Sequence, residues 1–260
     1  MTTNAEYHAD PAISASHLDA VEISPYHYQC TFLDPNRPAV EPTAAMRFGT
    51  LVHCAVLEPD ELNARFAVAP DRRTKEGKAA AAEFKAAGIE PVSAADMAIA
   101  VAMRDAVRSH PDAMALLKEG QAEQSYWYDD KPSGLRCKCR PDWMTGDTLV
   151  DLKTTTDASP RGFAKSVAQY RYHVQADHYL AGTLARRMVF IAVEKTYPFA
   201  VGVYELDQDA LDHAIVLRHQ NLQTIADCQA IREWPGYPSQ TISLPKWALA
   251  DPDTVTSNDF

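Results

Sequence analysis

The stretch GDTLVDLKTTTD, residues 146–157, decides how this chain is read. Its β-branched and apolar residues read as a strand, yet Asp151 and Lys153 stand near its end, where valine or threonine is usual. Side chains alternate along a strand, so Leu149, Asp151 and Lys153 share one face and Thr148, Val150 and Leu152 the other. An acid and an amine therefore point the same way.

Two runs precede it, AEQSYWYDD (122–130) and GLRCKCRPDW (134–143), separated from each other and from residue 148 by the turn signals KPSG and MTG. The spacing predicts an antiparallel three-stranded meander. In the second run Arg136, Lys138, Arg140 and Asp142 fall on one face, with Leu135, Cys137 and Cys139 on the other, toward the core. Asp142 then ends its strand nine residues before Asp151, and neighbouring strands lie about 5 Å apart, so the two carboxylates can meet. Such a pair repels unless a cation sits between them. Magnesium, a hard ion held by one or two carboxylates plus water and phosphate, meets that need, and an adjacent lysine can activate water or stabilise phosphate charge. A bare DxK is commonly only an exposed ion pair, and it is the preceding PD at meander spacing that points to a metal site.

Further outward, His53 lies in the apolar helical run RFGTLVHCAVL, with Gly49 one turn earlier. Gln175 and Tyr179, in YHVQADHYL, are four apart and share a helix face. Each alone would pass for packing. The order His53, Pro141-Asp142, Asp151-x-Lys153, Gln175-x-x-x-Tyr179 is more informative than any member of it.

Residues 13–118 read as helical with little β signal, residues 122–155 as the meander, and the stretch 159–186 as one helical run. MVFIAVEKT and FAVGVYEL form two strands around a Tyr-Pro turn, and a long helix runs from about 208 to 233. The expected fold is α/β (α+β), with a central mixed sheet of about five strands flanked by helices. It comprises a flexible segment 1–12, one domain 13–234, and a tail 235–260 that is surface-lying or disordered.

The 260 residues are 46% hydrophobic and 23% charged, with no membrane-length apolar run and no basic leader followed by an apolar stretch, so a cytoplasmic protein is expected. A net charge of −10 argues against nucleic-acid binding by the average surface. Two basic clusters, Arg72, Arg73, Lys75, Lys78 and Arg136, Lys138, Arg140, read from charge alone as solvated faces. The five cysteines show no CxxC spacing and read as reduced, structural thiols.

The ordered motifs resemble the PD-(D/E)xK nuclease superfamily, in its RecB-like branch, and within it the RecE-type exonuclease (exonuclease VIII) domain. ISASHLDAVEISPYHY, FGTLVHCAVLEP, DRRTKEGKAAAAEF and the late LPKWA extend the likeness from Ile13 to Trp247. The resemblance implies that Asp142 and Asp151 bind metal, with His53 and the Leu152 carbonyl as further ligands. It makes Lys153 the residue that positions or activates water. Glu123 lies near the site, and Gln175 and Tyr179 contact substrate or brace the catalytic strand. Ser14, Ser16 and Arg47 become candidate 5′-phosphate contacts, although the serines also suit helix capping, and Arg72, Arg73, Lys75 and Lys78 become candidate DNA contacts.

The activity implied is magnesium-dependent degradation of linear double-stranded DNA from the 5′ end, with manganese able to substitute. It would leave 3′ single strands for a RecT-type annealing protein. A ring-shaped homo-oligomer would reconcile the acidic charge with an inner basic surface. Only Cys228 follows the QADHY segment, so the iron–sulfur cluster of some RecB-branch nucleases is not expected. An endonuclease or single-strand nuclease of the same superfamily, or a non-catalytic DNA-binding protein on this fold, is the alternative.

Overall fold

The computed structural model describes residues 3–70 and 73–245. Five strands form the central sheet in the order β3-β6-β7-β8-β9: Gln121–Ala122, Trp143–Thr145, Thr148–Thr155, Arg187–Glu194 and Val201–Glu205. β7 and β8 run parallel while the other neighbours are antiparallel, so the sheet is mixed as expected. Two small pairs stand apart, β1 with β2 (Phe66–Val68 and Glu90–Val92, parallel) and β4 with β5 (Tyr126–Asp130 and Leu135–Cys139, antiparallel). The β1–β2 pair interrupts the half that reads as helical, and its three-residue strands are too short to show a period.

The helices are α1 (Asn4–Ala9), α2 (Ala15–Ile23), α3 (Pro25–Tyr28), α4 (Ala44–Leu57), α5 (Leu62–Arg65), α6 (Lys75–Ala86), α7 (Ala94–Ser109), α8 (Pro111–Leu117), α9 (Pro160–Gln169), α10 (Tyr172–Gly182) and α11 (Gln208–Ile231). Side-chain oxygens of Thr43, Ser93, Ser159 and Asp207 accept from the first-turn N–H groups of α4, α7, α9 and α11, satisfying donors a helix start leaves unpaired.

Alternation along the strands makes the layers. Val150 and Leu152 of β7 join Ile191 and Val193 of β8 on one face, packed on Leu51, Val52 and Ala55 of α4 and Met103 and Val107 of α7. Leu149, Met188, Phe190 and Ala192 point the other way, onto Phe163 and Val167 of α9 and Ala176 of α10. Each such aliphatic side chain contributes about 1.5–3 kcal/mol by burial, so the register of β7 is strongly held. A third cluster under β5 joins Ile13, Leu18, Val21, Cys137, Leu222 and Ile225.

Four expectations are corrected. The middle strand of the meander is Trp143–Thr145 and not Leu135–Cys139, which pairs with β4 in a separate hairpin. Pro141, which has no N–H for a ladder, falls between the two. Residues 3–12 are ordered by α1, whose Thr3–Glu6 capping box starts it and whose Tyr7 is buried. Lys138 belongs to no solvated face, because it is buried and its Nζ donates to the Tyr7 and Asp10 carbonyls, both at 2.6 Å. Finally, the helical run after β7 breaks at Arg171, which takes left-handed geometry (φ 54°) and turns the chain from α9 into α10. Residues 235–245 are exposed and without regular structure, while Arg72 and Trp247 lie outside the described residues.

Candidate metal centre

Three strands bring three acids to one level. β3 pairs Ala122 with Trp143, and β6 pairs Trp143 with Val150, so one step further along each ladder stand Glu123, Asp142 and Asp151. The ladder leaves both β3 and β6 here. Glu123 has a left-handed φ of 53°, uncommon for a residue with a Cβ, and its N–H donates to the Asp142 carbonyl at 3.1 Å. Asp142 Oδ2 accepts the Leu152 N–H at 2.8 Å, so Leu152 meets the site through its backbone while its side chain is in the core.

His53 reaches the row from α4, its Nδ1 3.4 Å from Asp142 Oδ2. One possible ligand atom from each of His53, Glu123 and Asp142 lies within 4.8 Å of the others. Asp151 sits beside this group in a different set of contacts. Its Oδ1 accepts from Gln175 Nε2 at 2.9 Å, and Gln175 Oε1 in turn accepts from Lys153 Nζ at 2.9 Å. Lys153 Nζ is also 2.7 Å from Asp151 Oδ2, but is too poorly aligned to donate to it, leaving that fully buried oxygen without a hydrogen bond. α10 thus approaches one face of β7 and α4 the other.

The electrostatics follow from this crowding. Burial, aided by the Asp142 charge, raises Glu123 to about 7. The residue is exposed along its side chain as a whole, so the shift belongs to the carboxyl end that faces the site. Burial drives Asp151 upward against the pull of Lys153. Lys153 is lowered by burial, but the two aspartates outweigh it and its pKa rises, keeping it a cation. Burial and the same aspartates push the Tyr179 phenol well above its usual value.

Of the residues singled out from the sequence, His53, Glu123, Asp142, Asp151, Lys153 and Gln175 meet here, with Tyr179 beside the aspartates. Ser14 and Ser16 do not: they line a cavity of about 480 Å³, where the Ser14 hydroxyl lies 3.0 Å from that of Ser16 and 2.8 Å from His17 Nδ1. Arg47 and Arg73 line a cleft of about 830 Å³ that Glu123, Asp142 and Asp151 do not line, so chemistry and not volume places the centre. Lys75 and Lys78 are exposed on α6. Tyr172 was missed from the sequence; Lys153 Nζ sits 4.3 Å from its ring centroid. The available signal was its position three residues before Gln175, on the same helix face.

No curated protein matches the chain. Among solved structures, a protein from Eubacterium rectale named as a candidate exonuclease superposes with a TM-score of 0.66 at 14% identity, covering 94% of this chain and 96% of that one. A phage-related exonuclease from Haemophilus somnus 129PT is more distant, with a TM-score of 0.37, 11% identity and coverage of 85% and 95%. An alkaline exonuclease from Laribacter hongkongensis gives 0.30, 13%, 62% and 85%. Residues 14–244 match the family described as PDDEXK-like domain of unknown function (DUF3799). With nearly the whole chain matched, and a mixed sheet that sets an Asp-x-Lys strand beside a Pro-Asp, the chain belongs to this PDDEXK-like family.

Proposed function

We propose that the chain is a divalent-metal-dependent nuclease that hydrolyses DNA phosphodiesters at the row of Glu123, Asp142 and Asp151. The observation that carries this reading is the convergence of three carboxylates and His53 at one level, with Lys153 at its edge. The donors suit a hard cation, since one buried carboxylate oxygen lacks a hydrogen bond and the Glu123 carboxyl is pushed up by burial and then by the Asp142 charge. His53, Glu123, Asp142, Asp151 and the Leu152 carbonyl would hold it. Magnesium is the ion proposed, with manganese able to substitute. Such an ion supplies Lewis-acid stabilisation of the phosphate and a more acidic bound water.

The chain's own groups supply the rest. Lys153, held by Asp151 and Gln175, presents a cation to a phosphate oxygen as negative charge develops there. Gln175 bridges acid and lysine and keeps both from turning away. Tyr179 braces the aspartates from α10.

The sequence likeness to RecE-type domains and the exonuclease naming of the Eubacterium rectale neighbour support the finer reading: exonucleolytic action on linear duplex, 5′ to 3′, yielding single strands for a RecT-type partner. Ser14, Ser16, Arg47 and the basic stretch Arg72 to Lys78 are its proposed DNA contacts, and a ring-shaped homo-oligomer its assembly. The test is incubation with linear, nicked and covalently closed circular DNA of one sequence, in magnesium and in EDTA. Loss of linear DNA only, and only with metal, is expected. Cutting of the closed circle would make the protein an endonuclease, and metal-independent binding without product would make it a non-catalytic DNA-binding protein.

A further inference from the structure

We propose that the recess on the outer side of Lys153 seats a nucleotide next to the cut bond, its phosphate held by Lys195 and neighbouring hydroxyls and its base stacked on Tyr170. The inference rests on the nuclease reading and adds a substrate subsite to it. β7 runs on past Lys153, and the Lys195 N–H donates to the Thr155 carbonyl at 3.0 Å, bringing the end of β8 alongside. Between them and α9 lies a recess of about 80 Å³. That is far below the roughly 300–1,000 Å³ that encloses a whole small ligand, so it suits a phosphate-sized group with the base lying outside.

Its chemistry is that of an anion site. Lys153 and Lys195 line it together with Thr154, Thr155, Thr156 and Ser166, and no acidic residue does, in a chain whose net charge is −10. No ion pair among the described residues involves Lys195, which is only partly exposed. Its charge is therefore available to a ligand, whereas Lys153 is already fastened to Asp151.

Tyr170 forms the rim. It is 56% exposed, yet its ring is stacked on Tyr172 (centroids 5.6 Å, planes 26° apart), and Tyr172 is stacked on the buried Phe190 (6.1 Å, 26°). An aromatic ring held by a stack on one side and wet on the other is a ready platform for a base, with its side-chain ordering already met. The corner that carries it is held. Arg171 keeps its left-handed backbone while its guanidinium reaches Asp19 at 3.2 Å, Glu22 at 3.1 Å and the Asn221 side chain.

The test has an optical arm and a kinetic arm. In EDTA, a short 5′-phosphorylated thymidine oligonucleotide is titrated into Tyr170→Trp and, as control for the native tryptophans, into the unaltered protein. A saturable change of emission confined to Tyr170→Trp is expected, weakened about tenfold by adding Lys195→Gln. With magnesium, Tyr170→Ala and Lys195→Gln should raise KM about tenfold with kcat within about twofold, Tyr170→Phe should behave as the unaltered protein, and Lys195→Gln should lower the salt slope by about one. Unchanged KM in both variants, or oligonucleotide binding with no emission change, would overturn the subsite and leave the nuclease reading intact. Inorganic phosphate competing as well as the oligonucleotide would overturn the stacking role of Tyr170. If the unaltered protein cleaves no DNA, the nuclease reading falls, and the optical arm alone decides whether the recess takes a nucleotide.

Discussion

Replacing Lys153 by Met keeps an unbranched apolar stem and removes the charge that sits over the Tyr172 ring. Asp151 is 0% exposed, so the variant leaves a carboxylate with one oxygen on Gln175 and no cation. Three contacts go together: the 2.7 Å ion pair, the 2.9 Å bond to Gln175 and the cation over the Tyr172 ring. Breaking a buried pair from one side costs about 3–5 kcal/mol, out of the about 5–15 kcal/mol of a typical domain, so the variant should fold with a much lower urea midpoint at pH 8 in EDTA. The deficit must depend on pH. In the unaltered protein burial already raises Asp151 to about 6 despite Lys153; without the cation it titrates higher still, so the folded variant takes up the proton first. The penalty is then present at high pH and shrinks as pH falls, by up to about 1.4 kcal/mol per unit. Adding Asp151→Asn should recover stability relative to Lys153→Met, the signature of coupling in a double-mutant cycle. A loss under about 0.5 kcal/mol at pH 8, or one flat from pH 5 to 8, would refute the claim that Asp151 is ionised and held by Lys153.

Glu123→Gln should weaken manganese binding, followed calorimetrically, by about tenfold or more, and Asp142→Asn should weaken it further; equal affinity in both variants and the unaltered protein would remove these residues from the centre. Burial lowers His17 to about 3 and His178 to about 4. The unfolded chain therefore binds more protons between about pH 4 and 6.5, and these two residues make stability fall as pH drops through that window, each by up to about 1.4 kcal/mol per unit. Denaturant midpoints across the range should show it, and His178→Gln, which keeps a donor for the Lys138 carbonyl, should reduce the slope. Gly182→Ala would place a methyl 2.7 Å from the Tyr128 ring and 2.8 Å from Cys139 Sγ, and a thermal melt should show about 1–3 kcal/mol of destabilisation.

The strand of the centre was legible because alternation is a local rule. Asp151 and Lys153 share a face in any strand, and Val150 and Leu152 oppose them, as the two core clusters confirm. His53 and the Gln175–Tyr179 pair were legible only as members of an ordered set, since a single histidine or glutamine on a helix carries no signal of its own.

What the sequence by itself determined was thus the mixed sheet with its flanking helices and the identity of the polar residues along β7. Which strand stands beside β7 was decided by tertiary structure. Pro141 stops β5 from continuing into Trp143, and the hairpin of β4 and β5 leaves the sheet, so Gln121–Ala122 becomes the outer neighbour and carries Glu123 to the level of Asp142. The left-handed turn at Arg171, held by Asp19, Glu22 and Asn221 from distant helices, likewise could not be read locally. Alternation and capping act over a few residues, whereas strand partners and anchored corners depend on contacts between segments far apart in the chain.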